Sequence, residues 1–126
     1  MGRPLPRVLV VDDNDAVRRM LAGLLRLDGF DVVAAAGGGD EALKLLAESS
    51  VDVVVLDLRM PPPDGFETAT RMRAEHPGMT IVGYTAALDA DVEERARAAG
   101  VDHVLGKAEG IEALEEEIVR RCGALS

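Results

Sequence analysis

Short apolar runs alternate along the chain with stretches whose apolar residues recur at helical spacing. Arg7–Val11 (RVLVV) is a continuous apolar run, the pattern of a strand buried on both faces. Asn14 is placed to cap a helix carrying Val17, Met20, Leu21, Leu24 and Leu25 on one face, and Asp28-Gly29 ends it. Residues 31–35 read as a second strand, and residues 40–48 as a helix entered through Gly37-Gly38-Gly39. The strongest strand signal is residues 51–56 (VDVVVL), which stops at Asp57. A Pro-rich turn follows, Met60-Pro61-Pro62-Pro63, and Asp64 with Glu67 then predicts a capping box for a third helix. His76-Pro77-Gly78 stops that helix. Residues 80–84 give a fourth strand, residues 89–99 a fourth helix closed by Gly100, and residues 102–105 a short fifth strand. Ile111, Leu114, Ile118 and Cys122 share one face of a last helix.

Strands that alternate with helices predict a parallel sheet covered on both faces. Right-handed crossovers reduce the choices to an α/β, flavodoxin-like, doubly wound sheet of five parallel strands in the order 2-1-3-4-5, with five helices. No repeat, low-complexity tract or linker interrupts the pattern, so residues 1–126 are expected to form one domain. The ligand crevice of such a sheet lies at the carboxyl ends of the strands, beside the switch between strands one and three. Polar residues stand at those ends: Asp12-Asp13 after strand one, Asp57 after strand three, Thr85 then Ala86 after strand four, and Lys107 after strand five.

Composition narrows what that crevice can do. The chain is 48% hydrophobic and 29% charged, as folded globular domains are. A net charge of −9 argues against broad contact with nucleic acid or an anionic membrane surface. No apolar run approaches the roughly 18 residues that span a bilayer. Met1 to Arg7 lacks the apolar core of a signal peptide, so a cytoplasmic location is expected. Cys122 is the one cysteine, which excludes an intramolecular disulfide and a multi-cysteine metal site. Lys107 is one of only two lysines, the other being Lys44. Three carboxylates brought together repel one another, and a hard divalent cation such as Mg²⁺ relieves this with carboxylate, water and phosphate oxygens. A carboxylate is a competent nucleophile toward phosphorus, and an ammonium, a hydroxyl and a backbone N–H neutralise the transferring oxygens. Taken singly, each residue has a plainer reading as a turn residue, a cap or a solvated lysine. Their recurrence at four strand ends is what argues for chemistry.

With these residues in hand, the chain resembles the receiver domain of two-component response regulators from Arg7 to Arg121. The carrying motifs are Val10-Val11-Asp12-Asp13, Thr85-Ala86, Lys107, and the run from Asp57 to Glu67. That run, Asp57-Leu58-Arg59-Met60-Pro61-Pro62-Pro63-Asp64-Gly65-Phe66-Glu67, matches the family pattern D-x-x-M-P-x-x-D-G-x-E at every fixed position. The resemblance implies that Asp57 is the phosphoacceptor. It implies Asp13, Asp57 and the backbone carbonyl of Arg59 as direct Mg²⁺ ligands, with Asp12 acting through water. Thr85 and the Ala86 N–H would follow the phosphoryl group, and Lys107 would pair with one of its oxygens. The donor would be a phosphohistidine on a sensor histidine kinase or phosphotransfer protein, or a small acyl phosphate. The domain would hydrolyse its own acyl phosphate and act as a signalling switch rather than a metabolic enzyme. Its fourth helix, fifth strand and fifth helix would carry the change to an output domain, a downstream protein or a second copy of the chain, without direct contact to DNA.

The sequence departs from the pattern in two places. Ala108 stands where many receivers have a proline joined by a cis bond. A cis peptide before a non-proline residue costs about 3–4 kcal/mol, so Lys107-Ala108 is expected to be trans. Val104 stands where many have an aromatic, so the signal is expected to leave without an aromatic rotamer switch, through the loop from Thr85 to Asp89 and the fourth helix. Arg95, Ala99 and His103 are expected on one outward face there, with His103 an ordinary edge histidine. Tyr84 and Cys122 read as packing residues. Arg59 points at the crevice mouth, where it screens the carboxylates, touches the phosphoryl group or is simply solvated. Other classes fit less well. An aspartyl-nucleophile phosphohydrolase needs a second Asp two residues after the nucleophile, where this chain has Arg59, and a substrate cap for which no insertion is long enough. A flavin protein needs a Ser/Thr/Gly-rich loop after strand one, where Asp12-Asp13-Asn14-Asp15 would repel phosphate. A scaffold that is never phosphorylated has no need of the complete site.

Overall fold

The apolar runs form one five-stranded parallel sheet in the order β2-β1-β3-β4-β5. The computed structural model describes residues 5–122. In chain order the elements are β1 (Arg7–Val11), α1 (Asp15–Leu27), β2 (Asp31–Ala36), α2 (Gly39–Glu48), β3 (Val53–Leu56), α3 (Gly65–Glu75), β4 (Thr80–Thr85), α4 (Ala90–Ala99), β5 (His103–Gly106) and α5 (Ile111–Cys122). A single 3₁₀ turn, Lys107–Glu109, joins β5 to α5. The predicted class, strand order and helix count are those observed. Among the described residues no helix is long and apolar enough to cross a membrane.

Strand alternation sorts the core into two layers. Leu9, Val11, Val54, Leu56 and Ile81 face α2, α3 and α4, where Ala42, Leu46, Met72, Val92 and Ala96 meet them. Val8, Val10, Val53, Val55, Val82, Tyr84 and Leu105 face α1 and α5, against Leu21, Leu25, Leu114 and Ile118. Each fully buried Val, Leu or Ile contributes about 1.5–3 kcal/mol, so the continuous apolar β1 and β3 make the centre of the sheet its most stable part. Tyr84 packs in the second layer as expected, and Cys122 lies half-buried against it.

The caps follow the sequence closely. Asn14 accepts the Val17 N–H at 3.0 Å. Asp64 accepts the Glu67 N–H at 2.9 Å while the Glu67 carboxylate reaches back to the Asp64 N–H, completing the box. Gly100 closes α4 at φ 98°, a left-handed conformation that side chains rarely adopt.

Several expectations need correction. Met20 belongs to no buried face: it is 54% exposed, because Leu21 and Leu25 centre the apolar stripe of α1 away from it. β3 starts at Val53 rather than residue 51, although the Asp52 backbone still donates to Arg7 O and accepts the Thr80 N–H while its carboxylate accepts the Arg7 N–H. β4 runs one residue further than predicted and takes in Thr85, and β5 starts at His103 and takes in Gly106. Arg95 is exposed, and Ala99 and His103 are half-buried. The Arg95 guanidinium stacks over the Phe66 ring of α3 at 4.1 Å. Ala99 packs against the first core layer, and His103 Nε2 lies 3.8 Å from the buried Glu117 of α5. Among the described residues the one cis peptide is Pro62-Pro63, so Lys107-Ala108 is trans, as expected.

Candidate functional site

Four parallel strand ends converge on one crevice. β1 delivers Asp12 and Asp13, β3 delivers Asp57, β4 ends on Thr85, and the turn after β5 presents Lys107. Carboxylate oxygens of Asp12, Asp13 and Asp57 all lie within 4.8 Å of one another. Asp12 and Asp57 are buried and Asp13 is exposed, so the cluster opens to solvent on the Asp13 side. The Lys107 ammonium donates to Asp12 Oδ2 at 2.9 Å and lies 3.8 Å from Asp57 Oδ2. One ammonium among three carboxylates leaves a net negative, oxygen-only donor set, the chemistry that suits a hard divalent cation.

Each side chain is held by local backbone. Asp12 Oδ1 accepts the Asn14 N–H at 2.9 Å, and Asp12's own carbonyl accepts Arg18 Nη1 at 2.8 Å. Asp57 Oδ1 accepts the Arg59 N–H at 3.1 Å, which leaves Oδ2 turned toward Lys107. Burial pushes the Asp57 carboxyl up to about 6; the Arg59 N–H and then Lys107 pull it down, and Asp12 and Asp13 push it up again. The loop behind Asp57 is fixed by the close approach of Gly65, whose N–H donates to Leu58 O. A Cβ at Gly65 would sit 2.4 Å from Leu58 Cα, so only glycine fits there. The Thr85 hydroxyl is fully buried and its Oγ1 has no hydrogen-bond partner among the described residues. A buried hydroxyl without a partner costs about 1–3 kcal/mol, which marks it as a group awaiting one.

Asp12, Asp13, Asp57 and Lys107 are therefore brought together, and Thr85 ends the neighbouring strand opposite Gly106. Ala86 is exposed just beyond Thr85, and Arg59 is exposed at the crevice mouth, where its backbone rather than its side chain engages Asp57. Sequence reasoning missed Arg18 and Glu109. Arg18 braces the Asp12 carbonyl and also pairs with Asp15, an i,i+3 spacing visible in the sequence. The Glu109 carboxylate accepts the Gly106 N–H at 2.8 Å, within a turn that the sequence pattern did not predict.

Residues 8–119 match the family model described as the response regulator receiver domain. The virulence sensor protein BvgS of Bordetella bronchiseptica is 40% identical over 119 residues, which cover 89% of this chain and 10% of that protein. The response regulator GacA of Pseudomonas viridiflava is 34% identical over 113 residues, covering 89% of this chain and 53% of that one. The chain thus spans between a tenth and about half the length of these two relatives. Among solved structures, a LuxR-family DNA-binding response regulator from Staphylococcus aureus superposes with a TM-score of 0.87 at 28% identity, covering 94% of this chain and 100% of that chain.

Proposed function

The chain belongs to the response regulator receiver domain family, and from that premise we propose that it is a phosphorylation-dependent signalling switch with Asp57 as its acceptor. The observation that carries this reading is the Asp12, Asp13 and Asp57 oxygen cluster with the Lys107 ammonium lodged against it. Asp57 Oδ2 attacks the phosphorus of a phosphohistidine on a sensor histidine kinase or phosphotransfer protein. The new O–P bond forms as the P–N bond breaks, and the electron pair of the P–N bond stays on the imidazole nitrogen. A small acyl phosphate serves the same role, with the carboxylate leaving. Lys107 exchanges its contact with Asp12 for an incoming phosphoryl oxygen, and the unpartnered Thr85 hydroxyl and the Ala86 N–H supply further donors. Asp13, Asp57 and the Arg59 carbonyl, with Asp12 through water, would hold Mg²⁺, which when bound offsets charge on the phosphoryl oxygens. Attack of water on the acyl phosphate then restores the carboxylate and releases phosphate, so the chemistry is self-directed.

The change is passed to an output domain, a downstream protein or a second copy through α4, β5 and α5. That two relatives carry this stretch within longer proteins, a sensor and a regulator, supports a module that works attached to or beside such partners. The test is phosphoryl incorporation from acetyl phosphate with Mg²⁺. One phosphoryl group per chain is expected, absent in Asp57→Asn. Unchanged labelling of that variant overturns the assignment.

A further inference from the structure

Lys107 is the cation of the site, yet nothing in its own side chain fixes its aim. An ammonium on a flexible four-carbon stem holds one position only when its backbone anchor and its partners are both fixed. The backbone here is a single 3₁₀ turn, Lys107–Glu109, between the last residue of the edge strand and α5. Lys107-Ala108 is trans and position 108 is alanine, so no proline ring stiffens the turn. Two hydrogen bonds close it. The Gly110 N–H donates to Lys107 O at 3.2 Å, with Gly110 at φ 90°. The Gly106 N–H donates to Glu109 Oε2 at 2.8 Å. Gly106 is buried, whereas Ala108 and Glu109 are exposed, so the carboxylate reaches back over the turn to satisfy a buried donor.

We propose that Glu109 is a positioning residue for Lys107: its carboxylate pins the Gly106 N–H, locks the turn and so aims the ammonium at Asp12 and Asp57. This rests on the reading of Lys107 as the cation that meets the phosphoryl group. Glu109 is not among the clustered carboxylates, so it should leave metal binding untouched. Losing the pin frees the turn, and displacing a charged group by about 1 Å in such a site costs on the order of ten- to a hundredfold in rate.

The experiment measures phosphorylation of the full chain by acetyl phosphate, together with Mg²⁺ affinity and thermal stability. Glu109→Ala should be slowed about tenfold at near wild-type Mg²⁺ affinity. Glu109→Gln keeps an acceptor without the charge and should restore the rate to within about twofold, which separates geometry from electrostatics. Lys107→Ala should be slow, and adding Glu109→Ala to it should slow it no further. The proposal is overturned if Glu109→Ala phosphorylates at the wild-type rate while Lys107→Ala is slow. It is equally overturned if Glu109→Ala slows the Lys107→Ala background as much as the wild type, or lowers stability and Mg²⁺ affinity in parallel. A wild-type rate in Lys107→Ala alone removes the underlying reading of Lys107.

Discussion

Asp57 works at a cost to the fold that can be measured. Its carboxyl is pushed up to about 6 from an ordinary value of 3.8, chiefly by burial. Below about pH 3 both folded and unfolded chains hold it protonated, and it costs nothing. As pH rises through about 6, the unfolded chain has already released the proton, so the ionised group in the folded chain is destabilising. Each unit of such a shift corresponds to about 1.4 kcal/mol. With solvent at the open Asp13 side screening part of it, Asp57→Asn should be about 1–2 kcal/mol more stable than wild type at pH 7. The difference should shrink toward zero by about pH 3. Denaturant unfolding at the two pH values checks this; an equal gain at both would contradict it. If Asp57 is the acceptor, the same ionisation makes the nucleophile, and labelling at low Mg²⁺ should slow as pH falls through about 6.

Between elements, one arginine ties the lower loops together. Arg73 on α3 donates to Pro77 O, Met79 O, Gly100 O and the Asp102 carboxylate, at 2.7–3.1 Å. Asp102 in turn accepts the Ile81 N–H at 2.8 Å. Truncation leaves several carbonyls without their charged donor, so Arg73→Ala should cost about 2–4 kcal/mol of unfolding free energy, with the phosphorylation rate unchanged. The proposed switch element lies at the other end of α4. Val104 is small and stiff and packs against the α4-side core, so it offers no inward and outward states. The loop from Thr85 to Asp89, with Ala86 and Ala87 exposed, is the part free to follow the Thr85 hydroxyl. A phosphoryl mimic should therefore alter amide exchange from Thr85 through α4. Changes confined to the loop after Asp57 would sink this route.

For the whole molecule, clustering three carboxylates should make stability depend on a cation. A ligand that binds only the folded chain stabilises it by about 1.4 kcal/mol at ten times its dissociation constant. Mg²⁺ should raise the melting temperature of wild type, and Asp13→Ala should lose most of that rise; an equal rise in the variant would count against the cluster. Most of this architecture was legible because continuous apolar runs, Asn14, Asp64-Glu67 and Gly100 each point to one local structure. The strand-end residues were legible because a parallel sheet gathers them at one rim. What escaped depends on contacts distant in sequence. The Asp52 carboxylate turns to the Arg7 N–H, Arg95 stacks on Phe66, and His103 turns to Glu117. Glu109 escaped because a three-residue turn leaves no hydrophobic period to read.

The most direct test of the central claim is chemical mapping of the acceptor. After reaction with acetyl phosphate and Mg²⁺, borohydride cleaves an aspartyl phosphate by reducing its carbonyl to an alcohol, leaving homoserine at that position. Peptide mass spectrometry should find homoserine at position 57 alone, and only in protein exposed to the donor. Reduction at Asp12 or Asp13 instead, or a phosphoryl group that survives borohydride on another side chain, would contradict the assignment of Asp57.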